Sequence, residues 1–269
     1  MIKKIPPILF LAVICYFLFF YKTTPTPPNI EPAEVPKPTP ISTEPAEVLE
    51  ISLKSRPLRY NYRQIKNDEL VKLIPNFQEQ QSSDQIIKNN NCLFGINGGF
   101  YLPENKPLGL FEINETKLGK YSPSRTFNGF LRQSSDNHLV IVDYNTLLSF
   151  SSLANFILQS GPLYHLDQSP KINFADPKTA RRHLIAQDSK FNTYIFSIYG
   201  TESSYDGPTL NEIYEFFEHP EIKKIADFTI ALNLDGGSAS AFYDQNQNIH
   251  VREIKPAGSF LCGQFRPNN

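Results

Sequence analysis

The chain alternates hydrophobic and polar positions in two different periods, and each period predicts a type of element. Runs of β-branched and aromatic residues at 138–143 and 193–200, bounded by turn-forming residues, predict strands. The segment 209–217, TLNEIYEFF, instead places Leu210, Ile213, Tyr214 and Phe217 on one helical face. Thr209 and Glu212 have the spacing of a capping box, so this helix is expected to begin here and to bury that face.

Further elements complete the predicted fold. A second helix is expected from Ser82, in SSDQIIKNN, where a serine or an aspartate caps the first turn. It leads into the apolar strand CLFGI at 92–96, and another buried strand, TIALNL, occupies 229–234. Because helices and strands alternate without a strict β-α repeat, the pattern predicts an α+β fold: a single domain with a mixed β-sheet core flanked by helices.

The first 50 residues do not fit a folded core. Residues 1–22 combine early lysines with fourteen uncharged, almost wholly apolar residues from Ile8 to Tyr21. This pattern is typical of an export signal; we expect an uncleaved membrane anchor with the rest of the chain outside, and a cleaved signal peptide is the alternative. Residues 23–50 contain eight prolines and no aromatic residue, which predicts an extended linker. The folded domain is therefore expected at 51–269.

Composition excludes several classes of function. The 269 residues carry 26 Lys and Arg against 27 Asp and Glu, a net charge of -1, so nothing favours nucleic acid as a partner. The five histidines lack the spacing of a zinc site, and neither a P-loop nor a nucleophile elbow occurs. We therefore expect no metal ion and no cofactor, and the sequence leaves only an oxygen-ligated Ca²⁺ or Mg²⁺ site open. Cys92 and Cys262 are the only cysteines after residue 50, and the sequence leaves their pairing open.

The most distinctive pattern is an apolar strand that ends on a polar residue and two glycines. Its two occurrences are Asn97, Gly98 and Gly99 in INGGFY, and Asp235, Gly236 and Gly237 in ALNLDGGSAS. Taken locally, the second is an ordinary β-hairpin turn. The alternative is that the two strand ends meet at one rim, where glycine N–H groups and Ser238 cradle an anion.

Two further segments carry polar side chains: Gln159, Ser160 and Gly161 after another apolar run, and the adjacent pair Arg181 and Arg182. A Gly-Pro turn is the simpler interpretation of the first, and two solvated arginines are the simpler interpretation of the second. His183 fits a packed residue as well as a proton carrier. Tyr101 and Tyr164 are either platforms for a sugar ring or packing residues.

Taken in order, INGGFY, LQSGPLY, ARRHLIA with YGTESSYDGPTLNEIYEFF, and ALNLDGGSASAFY resemble the motifs of the phosphodiester glycosidase family, over roughly residues 90–245. Members of that family hydrolyse the bond between a sugar's anomeric carbon and a phosphodiester, which leaves a phosphomonoester. The resemblance implies an enzyme that acts on a glycosyl phosphodiester of envelope or extracellular glycans. The alternative is a non-catalytic glycan-binding or envelope-organising protein that keeps the same fold.

The resemblance also implies roles for individual residues. A phosphate leaves the anomeric carbon without much assistance, so one carboxylate can suffice where most glycosidases need two. Asp235 is expected to act as base or nucleophile, Arg182 to grip the phosphate, and Asn97 to complete the catalytic set. Arg182 fits the arginine position better than Arg181, although a shift of one residue stays open. The expected substrate-binding residues are Gly98, Gly99, Gln159, Ser160, Gly161, Arg181, Asn233, Gly236, Gly237 and Ser238.

Overall fold

The computed structural model describes residues 48–54, 56–169 and 171–266. The anchor expected at 1–22 lies outside these residues, as does nearly all of the linker expected at 23–50. Within the described residues, no helix is both long enough and apolar enough to cross a bilayer.

The described residues form eighteen strands, four α-helices and one 3-10 turn. The strands are β1 (Leu49–Leu53), β2 (Arg56–Ile65), β3 (Glu69–Pro75), β4 (Phe94–Asn97), β5 (Tyr101–Leu102), β6 (Lys106–Pro107), β7 (Phe111–Ile113), β8 (Thr116–Gly119), β9 (Gly129–Ser134), β10 (Leu139–Asp143), β11 (Ala154–Ser160), β12 (Leu163–His165), β13 (Arg182–Asp188), β14 (Thr193–Gly200), β15 (Phe228–Asn233), β16 (Phe242–Asp244), β17 (Ile249–Val251) and β18 (Ser259–Phe265). The helices are α1 (Ser83–Asn90), α2 (Tyr144–Leu148), α3 (Glu212–Glu218) and α4 (Pro220–Lys223), and the 3-10 turn is Gly237–Ala239.

The strands build three larger sheets and one two-stranded pair in the described part of the chain. The six-stranded sheet has the order β1-β2-β14-β13-β15-β12; the two five-stranded sheets have the orders β10-β9-β11-β7-β8 and β17-β16-β4-β18-β3; β5 pairs with β6. Every one of these neighbours is antiparallel.

The fold is therefore mostly β, which corrects the expectation of an α+β domain around one mixed sheet. Many strands are two to four residues long, and such short segments do not show the two-residue alternation that reveals a strand in a sequence. The described helices are at most eight residues long, so they add little to the regular structure.

The six-stranded sheet is buried on both faces. On β13, Leu184 and Ala186 pack into one hydrophobic cluster with α3 residues such as Phe216. Ile185 points the other way, into a cluster with side chains from both five-stranded sheets, among them Phe242. Alternate residues of a strand face opposite sides of its sheet, so β13 has a helix face and a sheet face.

Several predicted elements are confirmed. The segment 193–200 is β14, and the helix expected near Thr209 is α3. The predicted capping contacts are present: the Thr209 N–H donates to Glu212 Oε2 at 2.7 Å, and the Glu212 N–H donates to Thr209 Oγ1 at 3.3 Å. Ser82 caps α1 in a full capping box with Gln85.

The Asp-Gly-Gly turn is not a hairpin, which corrects the local interpretation. β15 before it belongs to the six-stranded sheet, whereas β16 after it belongs to a five-stranded sheet. The connection runs through the 3-10 turn, and Gly237 has a φ of 65°, a left-handed backbone that favours glycine. Residues 234–241 therefore carry the chain from one sheet to another.

Cys92 and Cys262 form a disulfide, which answers the question that the sequence left open. The bond joins the residue pair across 170 positions, with a Cα–Cα distance of 5.4 Å. Both cysteines lie in a buried cluster with Ile86 of α1 and Phe260 of β18. The disulfide thereby ties the end of α1 to the sheet that contains β4.

Candidate active site

The two glycine turns meet at one rim of the molecule. β4 ends at Asn97 in a five-stranded sheet, and β15 ends at Asn233 in the six-stranded sheet. The Asp235 N–H donates to the Gly98 carbonyl at 3.1 Å, and Asn97 Nδ2 donates to the Asp235 carbonyl at 2.7 Å. The structure thus brings Asn97 and Asp235 together, as the repeated pattern predicted.

Both polar atoms of the Asn97 side chain, Nδ2 and Oδ1, form hydrogen bonds that hold this junction together. Nδ2 donates to the carbonyls of Asp235 and Gly98, while Oδ1 accepts from the Ala241 N–H at 3.2 Å and from His183 Nδ1 at 2.5 Å. The side chain is fully buried. A carboxamide has two donors and two acceptor positions, so none is left for a substrate. Asn97 is a positioning residue of the site.

His183 is a buried, neutral residue, which agrees with the packed alternative of the two that the sequence left open. Because Asn97 Oδ1 is an acceptor, His183 Nδ1 carries the proton, and Nε2 accepts from Ser197 Oγ at 2.9 Å. Burial, reinforced by the charge of Arg181, holds the pKa of His183 well below its usual value. The imidazole orients Asn97, and through it the turn of Asp235.

Asp235 is the acid of the rim. Its side chain is half-buried, and Oδ1 accepts from the Gly236 N–H at 2.9 Å. Burial raises the pKa of Asp235 to about 7, against the smaller opposing effect of that hydrogen bond. It forms no ion pair with any residue in the described ranges. A carboxyl group with this pKa can both give and take a proton near neutral pH.

Arg181 lies directly against the Asp-Gly-Gly turn and is fully buried. Nε donates to Ser240 Oγ at 2.6 Å, and Nη2 donates to the carbonyls of Ser240 at 2.7 Å, Arg252 at 2.9 Å and Gly237 at 3.3 Å. No described carboxylate forms an ion pair with it, and its Nη1 donates to no described residue. Burial lowers the pKa of Arg181 from its ordinary value, yet an arginine stays charged at neutral pH.

Arg182, which the sequence motif favoured, points to the other side of the sheet. Its Nε donates to the Pro208 carbonyl at 3.0 Å and its Nη2 to the Lys178 carbonyl at 2.7 Å. It shares the helix face of β13 with Leu184, whereas His183 is on the sheet face. The structure therefore places Arg181 at the glycine turn and Arg182 away from it.

Gln159 supports a loop with its whole side chain. Oε1 accepts from the N–H groups of Leu110 at 2.9 Å and Ser122 at 3.1 Å, and Nε2 donates to the carbonyls of Ser122 at 2.6 Å and Phe127 at 2.9 Å. All four positions are occupied, as in Asn97. The neighbouring Ser160 is buried too, and its Oγ donates to the Asn233 carbonyl at 2.7 Å. Neither side chain is free to contact a substrate.

Asn233 differs from the other two amides. Its Nδ2 donates to the carbonyls of Gly161 at 3.1 Å and Leu234 at 2.8 Å, which fixes the orientation of the carboxamide. Its Oδ1 is buried and accepts no hydrogen bond within the described part of the chain. A buried oxygen without a donor is uncommon in proteins and marks a position for a bound water or a ligand hydroxyl.

The glycines act through close packing rather than through free N–H groups. A Cβ at Gly98 would come within 2.2 Å of Ser259 Oγ, and one at Gly161 within 2.3 Å of the Thr126 carbonyl. Gly99 and Gly236 are similarly close to backbone carbonyls, at 2.9 Å and 2.7 Å. The N–H groups of Gly98, Gly161, Gly236 and Gly237 each donate to a protein oxygen. The expected cradle of glycine N–H groups is thus largely occupied by the protein itself.

The segment after β17 closes the site. The Ser238 carbonyl accepts from the N–H groups of Ile254 at 2.7 Å and Lys255 at 3.0 Å. Glu253 is held in turn by Ser83, whose N–H and Oγ both donate to its carboxylate at 2.6 Å. The sequence alone did not single out this segment, because no motif marks it and its contact with Ser83 joins residues 170 positions apart.

The two tyrosines of the sequence motifs differ in their surroundings. Tyr164 is fully buried and packs edge-on against Phe174 and Tyr214, so it is a packing residue. Tyr101 is half-buried at the rim, and its hydroxyl donates to the Pro256 carbonyl at 3.0 Å. The described residues contain no group of three His, Cys, Asp or Glu side chains that could hold a metal ion.

The family model of the phosphodiester glycosidases matches residues 90–262, which is most of the chain. The protein therefore belongs to the phosphodiester glycosidase family, and the resemblance seen in its four motifs is confirmed. No protein of curated function matches the chain significantly.

Two solved structures share the fold. The catalytic domain of zebrafish N-acetylglucosamine-1-phosphodiester alpha-N-acetylglucosaminidase, described as auto-inhibited by pro-peptide, is similar with a TM-score of 0.58 and 14% identity, covering 85% of each chain. A hypothetical protein from Synechocystis is similar with a TM-score of 0.54 and 13% identity, covering 81% of this chain and 61% of its own. At such identities the likeness is one of fold.

Proposed function

We propose that the protein hydrolyses glycosyl phosphodiesters at the anomeric carbon, with Asp235 as the carboxyl group that acts on that carbon or on the attacking water. The observation that carries this proposal is the position of Asp235 at the junction of the two glycine turns, in the same turn whose Gly237 carbonyl accepts a hydrogen bond from the fully buried Arg181. Membership of the phosphodiester glycosidase family supports the same reaction class.

Arg181 supplies positive charge for the phosphate. Its hydrogen bonds to carbonyl and hydroxyl oxygens hold the guanidinium in one orientation but do not neutralise it. A phosphomonoester leaving group gains charge as the bond to the anomeric carbon breaks, and a fixed cation stabilises that charge. Nη1 is the nitrogen left to donate to a phosphate oxygen. Arg181 therefore takes the role that the motif assigned to Arg182.

Asp235 supplies the base. As the anomeric carbon–oxygen bond breaks and its electrons pass to the phosphate, water bonds to the carbon and Asp235 takes the water's proton. A partly desolvated carboxylate is a stronger base than an exposed one, which suits this step. The same carboxylate could instead bond to the carbon itself, and water would then release the sugar. Asn97 and His183 keep the turn of Asp235 in place.

The disulfide supports export of the domain. A buried disulfide forms and persists in oxidising surroundings, which lie outside the cytoplasm in most cells. This fits the expectation of a membrane-tethered or secreted protein acting on envelope or extracellular glycans, although the anchor itself lies outside the described residues.

The direct test is hydrolysis of a panel of sugar 1-phosphodiesters, followed by ³¹P NMR for the phosphomonoester. Asp235→Asn keeps the size and the contact with Gly236, and we expect kcat/KM to fall about 1000-fold. Asp136→Asn is the control, because Asp136 is 68% exposed on a remote turn. Near-normal turnover by folded Asp235→Asn would overturn the assignment. Tight glycan binding without turnover across the panel would instead favour a non-catalytic glycan-binding protein.

A further inference from the structure

The segment 252–255 lies against the candidate active site and belongs to no helix or strand. Arg181 Nη2 donates to the Arg252 carbonyl at 2.9 Å. Two residues further along, two N–H groups of the segment donate to the Ser238 carbonyl. Because no ladder of sheet or helix hydrogen bonds supports the segment, its position depends on individual contacts of this kind.

The Glu253 carboxylate anchors the segment on its outer side. Oε1 accepts from the Ser83 N–H and Oε2 accepts from Ser83 Oγ, both at 2.6 Å. Ser83 is the first residue of α1, so its N–H has no partner within the helix, and the residue is only 4% exposed. Two sheltered, charge-assisted hydrogen bonds are stronger than the neighbouring pair of Arg252 and Asp84, whose side chains are 63% and 55% exposed. Glu253 is therefore the main outer anchor.

Ser83, His250 and Asp84 are arranged like a catalytic triad, but their hydrogen bonds do not suit that role. His250 Nε2 lies 3.3 Å from Ser83 Oγ, and His250 Nδ1 lies 3.5 Å from Asp84 Oδ1. A carboxylate oxygen only accepts hydrogen bonds, so Ser83 directs its hydroxyl proton to Glu253 and not to the imidazole. Ser83 is also buried, which keeps a substrate away from its hydroxyl. These side chains therefore serve to hold the segment 252–255.

Two properties of Glu253 affect the site. The first is its contact with Ser83, which fixes the backbone whose Arg252 carbonyl orients Arg181. The second is its negative charge: burial lowers the pKa of Arg181, and the charge of Glu253 is among the smaller effects that oppose this. The hydrogen-bond partners of the Arg181 guanidinium are carbonyls and a hydroxyl and do not include this carboxylate. The contact is thus the more direct link.

We propose that Glu253 is a positioning residue: its contact with Ser83 fixes the segment 252–255, and the segment holds the reaction centre in its working arrangement. The catalytic part of this inference rests on the proposed function. The segment contacts the guanidinium of Arg181 and the 3-10 turn that follows Asp235. A displacement of about 1 Å in such groups costs up to about 100-fold in rate, so release of the segment should slow the reaction while the substrate still binds.

The first experiment measures the anchoring itself, without turnover. Hydrogen exchange of single backbone amides is followed by NMR on the full chain. Glu253→Ala removes both acceptors of Ser83, so the Ile254 and Lys255 amides should exchange about tenfold faster than in wild type. Glu253→Gln keeps an acceptor for the Ser83 N–H and gains a donor to Ser83 Oγ, so most of this protection should return.

Two controls separate the anchoring from overall stability. The Phe196 amide, in the inner strand β14, reports global unfolding in the same samples. Glu221→Ala removes a glutamate from the start of another helix, α4, where its pair with Lys224 is exposed, and exchange of the segment should not change. The inference would be overturned if Glu253→Ala sped exchange of the segment no more than that of Phe196, or if Glu253→Gln sped it equally.

The second experiment measures the catalytic consequence and separates this inference from the proposed function. For a sugar 1-phosphodiester, Glu253→Ala should lower kcat about tenfold and change KM less than about threefold, and Glu253→Gln should recover most of the lost kcat. A higher KM with unchanged kcat, or equal losses of kcat in the two variants, would contradict the positioning role. Absence of hydrolysis by wild type would contradict the proposed function alone, because the exchange experiment decides the anchoring without any turnover.

Discussion

Two buried arginines of this protein are paired in opposite ways. Arg63 on β2 is 6% exposed and forms ion pairs with two buried carboxylates, Glu69 and Asp244, and its guanidinium lies 4.3 Å from the centre of the Phe94 ring. Arg181 at the rim is at least as buried, but its hydrogen-bond partners are three backbone carbonyls and a serine hydroxyl, and its guanidinium lies 5.0 Å from the centre of the Tyr205 ring.

The difference indicates that the buried charge of Arg63 stabilises the fold, whereas the buried charge of Arg181 is available to bind a ligand. Arg63 faces two carboxylates, so its charge is balanced within the cluster and it attracts no further anion, although its buried Nε donates to no described residue. Arg181 is held in place without being neutralised, because carbonyl oxygens carry only partial charge. An anion that reaches the rim would therefore still be attracted by the positive charge of Arg181.

The largest effect is expected from Arg63→Met. The change leaves Glu69 and Asp244 buried with no counterion, which should lower the free energy of unfolding by about 3–5 kcal/mol. Urea denaturation measures it. Arg59→Met is the control on the same strand, since its pair with Glu50 is exposed and is expected to contribute about 1 kcal/mol or less. Equal losses in the two variants would mean that the Arg63 cluster is not a stabilising unit.

The next effect concerns activity. Arg181→Lys keeps the charge but cannot reproduce the guanidinium's set of hydrogen bonds, so kcat/KM for a sugar phosphodiester should fall about 100-fold, or roughly 2.7 kcal/mol. Arg132→Lys is the matched control, because that buried guanidinium also donates to backbone carbonyls, those of Ser152 and Leu153, in another sheet. Arg132→Lys should lower the free energy of unfolding and leave kcat/KM unchanged. A larger loss of turnover for Arg182→Lys would return the phosphate contact to Arg182.

The smallest effect is a pH-dependent gain in stability. Asp235, unlike Asp244, has no arginine partner among the described residues. Its pKa is about 7 in the folded protein against an ordinary 3.8, so the unfolded chain loses this proton first and stability falls as pH rises between these values. Asp235→Asn removes the titrating carboxyl group, and with it this fall in stability. Its advantage over wild type in unfolding free energy should be near zero at pH 4 and reach about 1–3 kcal/mol at pH 8. A constant advantage across this range would show that Asp235 is not perturbed.

Local patterns predicted the elements whose signals are local. The helix α3 has its apolar face and its capping residues within ten positions, and β14 is a single β-branched and aromatic run, so both were predictable. The number of sheets could not be predicted from the sequence. The turn at Gly237 does not close a hairpin because β16 pairs with β4, about 150 positions earlier in the chain. No residue near the turn indicates this pairing.

The candidate site shows the same limit at the level of single residues. Motif order was enough to predict that Asn97 and Asp235 lie together. It could not tell Arg181 from Arg182, because adjacent residues in an extended chain face opposite sides and the orientation is set by the sheet. It also could not separate Asn97 and Gln159, which bind backbone, from Asn233, whose Oδ1 has no described partner.

The disulfide gives the chain a covalent ring. Every residue of the proposed reaction centre, from Asn97 to Ser240, lies between Cys92 and Cys262. A single cut by a protease at an exposed turn inside this ring, such as the one at Asp136, yields two fragments that stay linked through sulfur. The two glycine turns would then belong to different polypeptides and still be held to one another, so a nicked form can retain its site until it is reduced.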